Sequence, residues 1–120
     1  MNAESPRTQA QVSGGEAEHG AARFLERQGL KIVARNYHTR FGEIDLVAME
    51  GEVLVFVEVR MRSSARFGGA AASITRTKQA RIASAAARFL QRFPRPPRCR
   101  FDVVVVQEGP PQWIKAAFEA

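Results

Sequence analysis

Between two apolar stretches, Glu43 to Met49 and Val53 to Arg60, stand only Glu50, Gly51 and Glu52. So short a link forces an antiparallel hairpin, because a parallel pair needs a crossover of a dozen residues or more. Both stretches are apolar at nearly every position. That is the pattern of central strands covered on two faces, so the chain must build a layer on each side of a sheet.

Two helical patterns can supply those layers. Glu16 to Gln28 reads as a helix with an inner stripe of Ala21, Ala22, Phe24 and Leu25, closed by Gly29. Thr75 to Phe93 is the longer one, with Ile82, Ala85, Ala86, Phe89, Leu90 and Phe93 at steps of three and four, and Pro94, Pro96 and Pro97 stop it. Leu30 to Tyr37 reads as a strand leading to a turn near Arg40 to Gly42. Cys99 to Gln107 reads as a Val-rich buried strand, with Cys99 as a small core residue. Gln112 to Ile114 is expected to add a short edge strand, and Lys115 to Glu119 a last helical turn. Met61 to Ser73 breaks periodicity with serines and glycines and reads as a mobile loop.

The expected fold is therefore α/β: a single domain over residues 14–120, ordered α-β-β-β-α-β, with a mixed central sheet flanked by helices. Residues 1–13 are polar and read as a disordered tail. At 120 residues there is room for one core. No apolar run nears the twenty or so residues that cross a bilayer, and the first residues lack the apolar segment of a secretory signal. A single cysteine rules out an internal disulfide and fits a reducing compartment, so a cytoplasmic protein without membrane partners is expected.

The net charge of +6 is unevenly placed: residues 60 to 100 hold eleven Arg or Lys and no Asp or Glu. Such a block steers a protein toward polyanions, nucleic acid above all. Arg62, Lys78, Arg81, Arg88 and Arg92 are the candidate phosphate contacts.

Two acids break the apolar hairpin. Strand alternation puts Asp45 on a face with Val47 and Met49, and Glu58 on a face with Leu54, Phe56 and Arg60. A turn centred on Gly51 and Glu52 sets the two acids opposite each other, with Cβ atoms about 4.5 to 5.5 Å apart. Two carboxylates that close repel, unless a divalent cation or an arginine neutralises them. Glu18 lies in line with Ala21, Ala22 and Leu25 and is expected to point inward as a third acid. Oxygen-only ligands favour Mg²⁺ or Mn²⁺, while the isolated His19 and His38 form no zinc set. An ion held there would activate water and neutralise phosphate, with Arg60 on the same face. The competing reading is an ion pair with Arg60 that fixes the strand register.

The motifs Gly42-Glu-Ile-Asp-Leu-Val-Ala48, Phe56-Val-Glu-Val-Arg60, Phe67-Gly-Gly69, Thr77-Lys-Gln79 and Arg100-Phe-Asp-Val103 resemble the bacterial YraN family, from about Gly15 to Phe118. That family is similar to restriction-endonuclease-like proteins and archaeal Holliday junction resolvases. The resemblance implies a restriction-endonuclease-like fold and maps an acid, then acid-x-lysine pattern onto Asp45, Glu58 and Arg60, with an early-helix glutamate at Glu18. It implies that Glu18, Asp45 and Glu58 bind Mg²⁺, with the Val59 carbonyl completing the shell, and it makes a homodimer a partner to expect. Arg60 departs from the pattern. Arginine stays protonated and cannot serve as a general base, although its planar fork can clamp a phosphate.

The expected activity is Mg²⁺-dependent hydrolysis of phosphodiesters in branched or structured DNA, with Asp45, Glu58, Arg60 and Glu18 as the catalytic set. The alternative is a nucleic-acid-binding module that does not cleave. A protein-interaction scaffold accounts least well for the basic block.

Overall fold

A computed structural model of the chain describes residues 9–61 and 74–119. It contains α1 (Gln9–Arg27), β1 (Lys31–His38), β2 (Glu43–Glu50), β3 (Val53–Met61), α2 (Arg76–Leu90), β4 (Cys99–Val106) and β5 (Gln112–Phe118). The strands form one sheet in the order β1-β2-β3-β4-β5. Only β3 and β4 run parallel, and α2 is the crossover that a parallel pair requires. The protein is thus a single-domain α/β fold of the nuclease-like kind. The expected loop after Met61, with Arg62 in it, lies outside the described residues, as do residues 1–8 of the expected tail.

Each helix buries its apolar stripe on one face of the sheet. On one side Ala21, Ala22 and Leu25 of α1 pack on Leu46, Ala48, Val55, Val57 and Val104. On the other, Ile82, Ala85, Ala86 and Phe89 of α2 pack on Val47, Leu54, Phe56 and Phe101. Burying a Leu or Phe side chain contributes about 1.5–3 kcal/mol, and these two clusters clamp β2 and β3 between them.

Three expectations need correction. First, α1 begins at Gln9 rather than Glu16, so Gln9 to Ser13 belong to the helix and not to a tail. Second, Lys115 to Phe118 continue β5 instead of turning helical. Their helix-forming composition is overridden because the Ala116 N–H donates to Asp102 Oδ1 at 2.9 Å and Phe118 stacks on Phe101 with ring centroids 5.1 Å apart. Third, Cys99 is exposed. It is the first residue of β4, at the sheet's end, before the buried run from Phe101 to Val105.

Both outer strands are irregular. In β1 the register shifts between Ile32 and Ala34, and Asn36 has φ 50°. The β4–β5 ladder shifts between Phe101 and Val103, and Ala116 has φ 52°.

Among the described residues Asp102 is the fully buried acid, and it has a structural task. It accepts from Arg100 Nε at 2.9 Å, Arg100 Nη2 at 3.1 Å, Trp113 Nε1 at 2.9 Å and the Ala116 N–H. Arg100 also reaches Glu50 Oε1 at 2.7 Å, which ties the β2–β3 turn to the β4–β5 edge.

Candidate active site

The β2–β3 ladder keeps the expected hairpin register through Leu46 and Val57 and ends there. Just past it, the Val59 N–H donates to Asp45 Oδ2 at 2.8 Å. The carboxylate stands where the next rung of the sheet would form. It is reached from both sides, by Glu18 of α1 and by the charge of Lys78 on α2.

Asp45 and Glu58 do meet, close enough for the charge of Asp45 to act on Glu58. Burial, then the charge of Asp45, push Glu58 up to about 7 against the opposing pull of Lys78 and Arg60. Burial also raises Asp45, but the Val59 N–H and Lys78 favour its ionised form. Burial is thus the main force that holds Glu58, 6 % exposed, toward its neutral form. Glu18 is raised by burial and by the charge of Asp45, with Asn36 pulling the other way.

Two cations flank Glu58. Lys78 Nζ lies 3.8 Å from its Oε2. The Thr75 side chain caps α2 by accepting from the Lys78 N–H at 3.1 Å, which fixes where that lysine leaves the helix. Arg60 Nε is 3.2 Å from the same oxygen. The approach is poorly aligned, and among the described residues this nitrogen is the buried side-chain atom without a hydrogen-bond partner. The proximity is charge attraction rather than a formed hydrogen bond, so a donor remains available.

The basic face divides. Arg81 and Arg88 are exposed and line two adjoining cavities of about 400 and 470 Å³ beside the Thr39–Gly42 turn. Arg92 instead lies over the Phe89 ring, 3.7 Å from its centroid, where cation–π attraction holds it. His38 Nδ1 sits 3.1 Å from Glu43 Oε1, an exposed pair at the mouth of the same turn.

A divalent cation suits part of this arrangement. Asp45 and Glu58 offer oxygens alone, and a positive charge between them would relieve the resistance to ionisation that burial and Asp45 impose on Glu58. Glu18 approaches Asp45, yet among the described residues no three His, Cys, Asp or Glu side chains gather as a ligand set. The expected three-acid cage is therefore not preformed. Mg²⁺ commonly takes one or two carboxylates and keeps several waters, so Asp45 and Glu58 fit as its protein ligands, in competition with Lys78 for Glu58.

Sequence reasoning missed Asn36, Thr75 and Val59 as the groups that hold these acids and Lys78 in place. Thr75, three residues before Lys78 at the start of an apolar helix, carried a capping signal. The backbone bond from Val59 carried none.

Fold and site together define a small nuclease-like α/β protein in which buried Glu58 pairs with half-buried Asp45 beside a basic helix. Residues 17–106 match the model of the Uncharacterised protein family UPF0102. A UPF0102 protein of Janthinobacterium sp. (strain Marseille) is 50% identical over 115 residues, covering 96% of this chain and 94% of that protein. Another, from Verminephrobacter eiseniae (strain EF01-2), is 58% identical over 116 residues, covering 92% and 81%. The chain belongs to the UPF0102 (YraN) family. Among the described residues no helix is long and apolar enough to cross a membrane.

Proposed function

We propose that this protein is a Mg²⁺- or Mn²⁺-dependent endonuclease of the cytoplasm that hydrolyses phosphodiesters in branched or structured DNA. The observation that carries the reading is the close pairing of half-buried Asp45 with buried Glu58, flanked by Lys78 and Arg60. A fold that only needed stability would gain from apolar residues at these positions, because burying like charges is costly. A divalent cation bound there supplies positive charge against the phosphate and makes water a better nucleophile. Asp45 and Glu58 would hold it, Asp45 being fixed in direction by the Val59 N–H and by Glu18. The partly exposed Arg60 guanidinium, beside Glu58, can bond a phosphate oxygen through its outer nitrogens and stabilise charge that builds on it. Lys78 can leave Glu58 for the phosphate once the acid is otherwise neutralised. Arg81 and Arg88 would grip the strand on either side.

A second reading, a non-cleaving nucleic-acid-binding module, is favoured by one observation: Lys78 and Arg60 already neutralise Glu58 without any ion. The test is cleavage of branched, flapped and linear DNA with Mg²⁺, Mn²⁺ or EDTA, with Asp45→Asn as the comparison. Metal-dependent cuts that vanish in Asp45→Asn, while DNA binding persists, support the endonuclease. Binding without cleavage in any metal supports the module. Affinity that does not change with salt refutes both, since neutralising one phosphate contact such as Arg81 should lower the salt slope by about one.

A further inference from the structure

The most exposed aromatic described in the chain is Phe41, 65% accessible at the tip of the β1–β2 turn. The turn is held rather than loose. Thr39 Oγ1 accepts from the N–H groups of Phe41 and Gly42, both at 3.1 Å, and the Thr39 N–H donates to the Gly42 carbonyl at 2.8 Å. Gly42 presses on the backbone of Arg81, so closely that a Cβ there would lie 2.8 Å from the Arg81 carbonyl carbon. Phe41 is thus kept in water by a braced turn, although it could be buried if the turn were free to fold inward.

Two cavities open beside this ring. One, about 470 Å³, is walled by Tyr37, Arg40, Phe41, Ser84 and Arg88. The other, about 400 Å³, runs past Phe41 and Gly42 to Arg81 and Lys78, whose Nζ is 3.8 Å from Glu58. Arg40 lies over the Phe41 ring, 5.3 Å from its centroid. Four cations thus surround an aromatic face within reach of the acidic pair. The only carboxylate lining either cavity among the described residues is Glu43, which His38 meets.

Positive charge with an exposed ring between suits a nucleotide: cations for the phosphates, a flat apolar face for the base. Within a continuous duplex both faces of a base are covered by its neighbours, whereas an unpaired base can offer one. We infer that Phe41 stacks on an unpaired base of the DNA, seated between the turn and α2, and that this contact selects substrates unpaired beside the scissile phosphate. The inference rests on the endonuclease reading and narrows its substrate.

The test measures binding in EDTA, where no cleavage occurs. A DNA duplex carrying one bulged 2-aminopurine is compared with the same duplex fully paired, for the wild type and for Phe41→Ala and Phe41→Trp. The wild type should prefer the bulged duplex and quench 2-aminopurine fluorescence on binding. Phe41→Ala should lose that preference by about tenfold or more, with its thermal melting and its affinity for the paired duplex unchanged, and Phe41→Trp should restore it. An equal loss on both duplexes, or quenching that survives Phe41→Ala, overturns the proposal. Cleavage tells the two ideas apart: metal-dependent cuts with no preference for the bulge defeat only the stacking contact, whereas Phe41-dependent binding with no cuts defeats only the enzyme.

Discussion

Replacing Glu58 by Gln removes the acid whose ionisation this fold resists most clearly. An ordinary glutamate titrates near 4.5, whereas burial and Asp45 push Glu58 up to about 7. The folded chain therefore binds more protons than the unfolded one between those values, and stability falls as pH rises through that window. At ~1.36 kcal/mol per pH unit the gap from 4.5 to about 7 corresponds to at most about 3.4 kcal/mol. Gln keeps the shape and can donate to Asp45 at every pH, so the variant escapes the loss. Near pH 4 the two proteins should be alike in stability. Near pH 8.5, without metal, Glu58→Gln should be more stable by about 1 to 3 kcal/mol, which raises Tm by several degrees in a chain of this size. Urea unfolding read from the single tryptophan, Trp113, measures both. If the variant is destabilised equally at the two pH values, Glu58 is ionised at both. Arg60 and Lys78 would then outweigh burial and Asp45, and the argument that Glu58 resists ionisation fails.

Two further outcomes test the scaffold. Asp102→Asn leaves Arg100 facing a neutral, partly mismatched amide inside the sheet, and should lower stability by about 3 to 5 kcal/mol; a urea midpoint within error of wild type would show that Asp102 is not the knot described. Gly42→Ala sets a methyl against the Arg81 backbone and should lower stability by about 1 to 3 kcal/mol, whereas an unchanged melting curve would mean that the turn does not rest on α2.

The hairpin was legible because a three-residue link leaves one register for two continuous apolar strands, and that register brought Asp45 and Glu58 together before any coordinates. The second helix was legible through its spacing, and Thr75 through its capping chemistry. The end of the chain was not: Lys115-Ala116-Ala117 favours helix locally, and only the distant Asp102, reaching across the sheet, makes it a strand. Asp102 could have been noticed from Arg100-x-Asp102, since residues two apart on a strand share a face and a buried pair of opposite charge is a structural signature. Helix periodicity points Glu18 inward, but it does not say how many of the three acids would share one ion. How Asp45 is held was also hidden, because a backbone donor carries no residue type to read.

The two crooked margins of the sheet bear on assembly. A sheet grows by zipping a straight strand onto a straight margin, but β1 and β5 each carry a displaced register and a left-handed residue, features that blunt such addition. If two copies of this chain join, they must meet through side chains instead of continuing one another's sheet. The distance between their two acidic pairs would then be set by surface packing, which single substitutions can retune while the β-scaffold of each copy stays as it is.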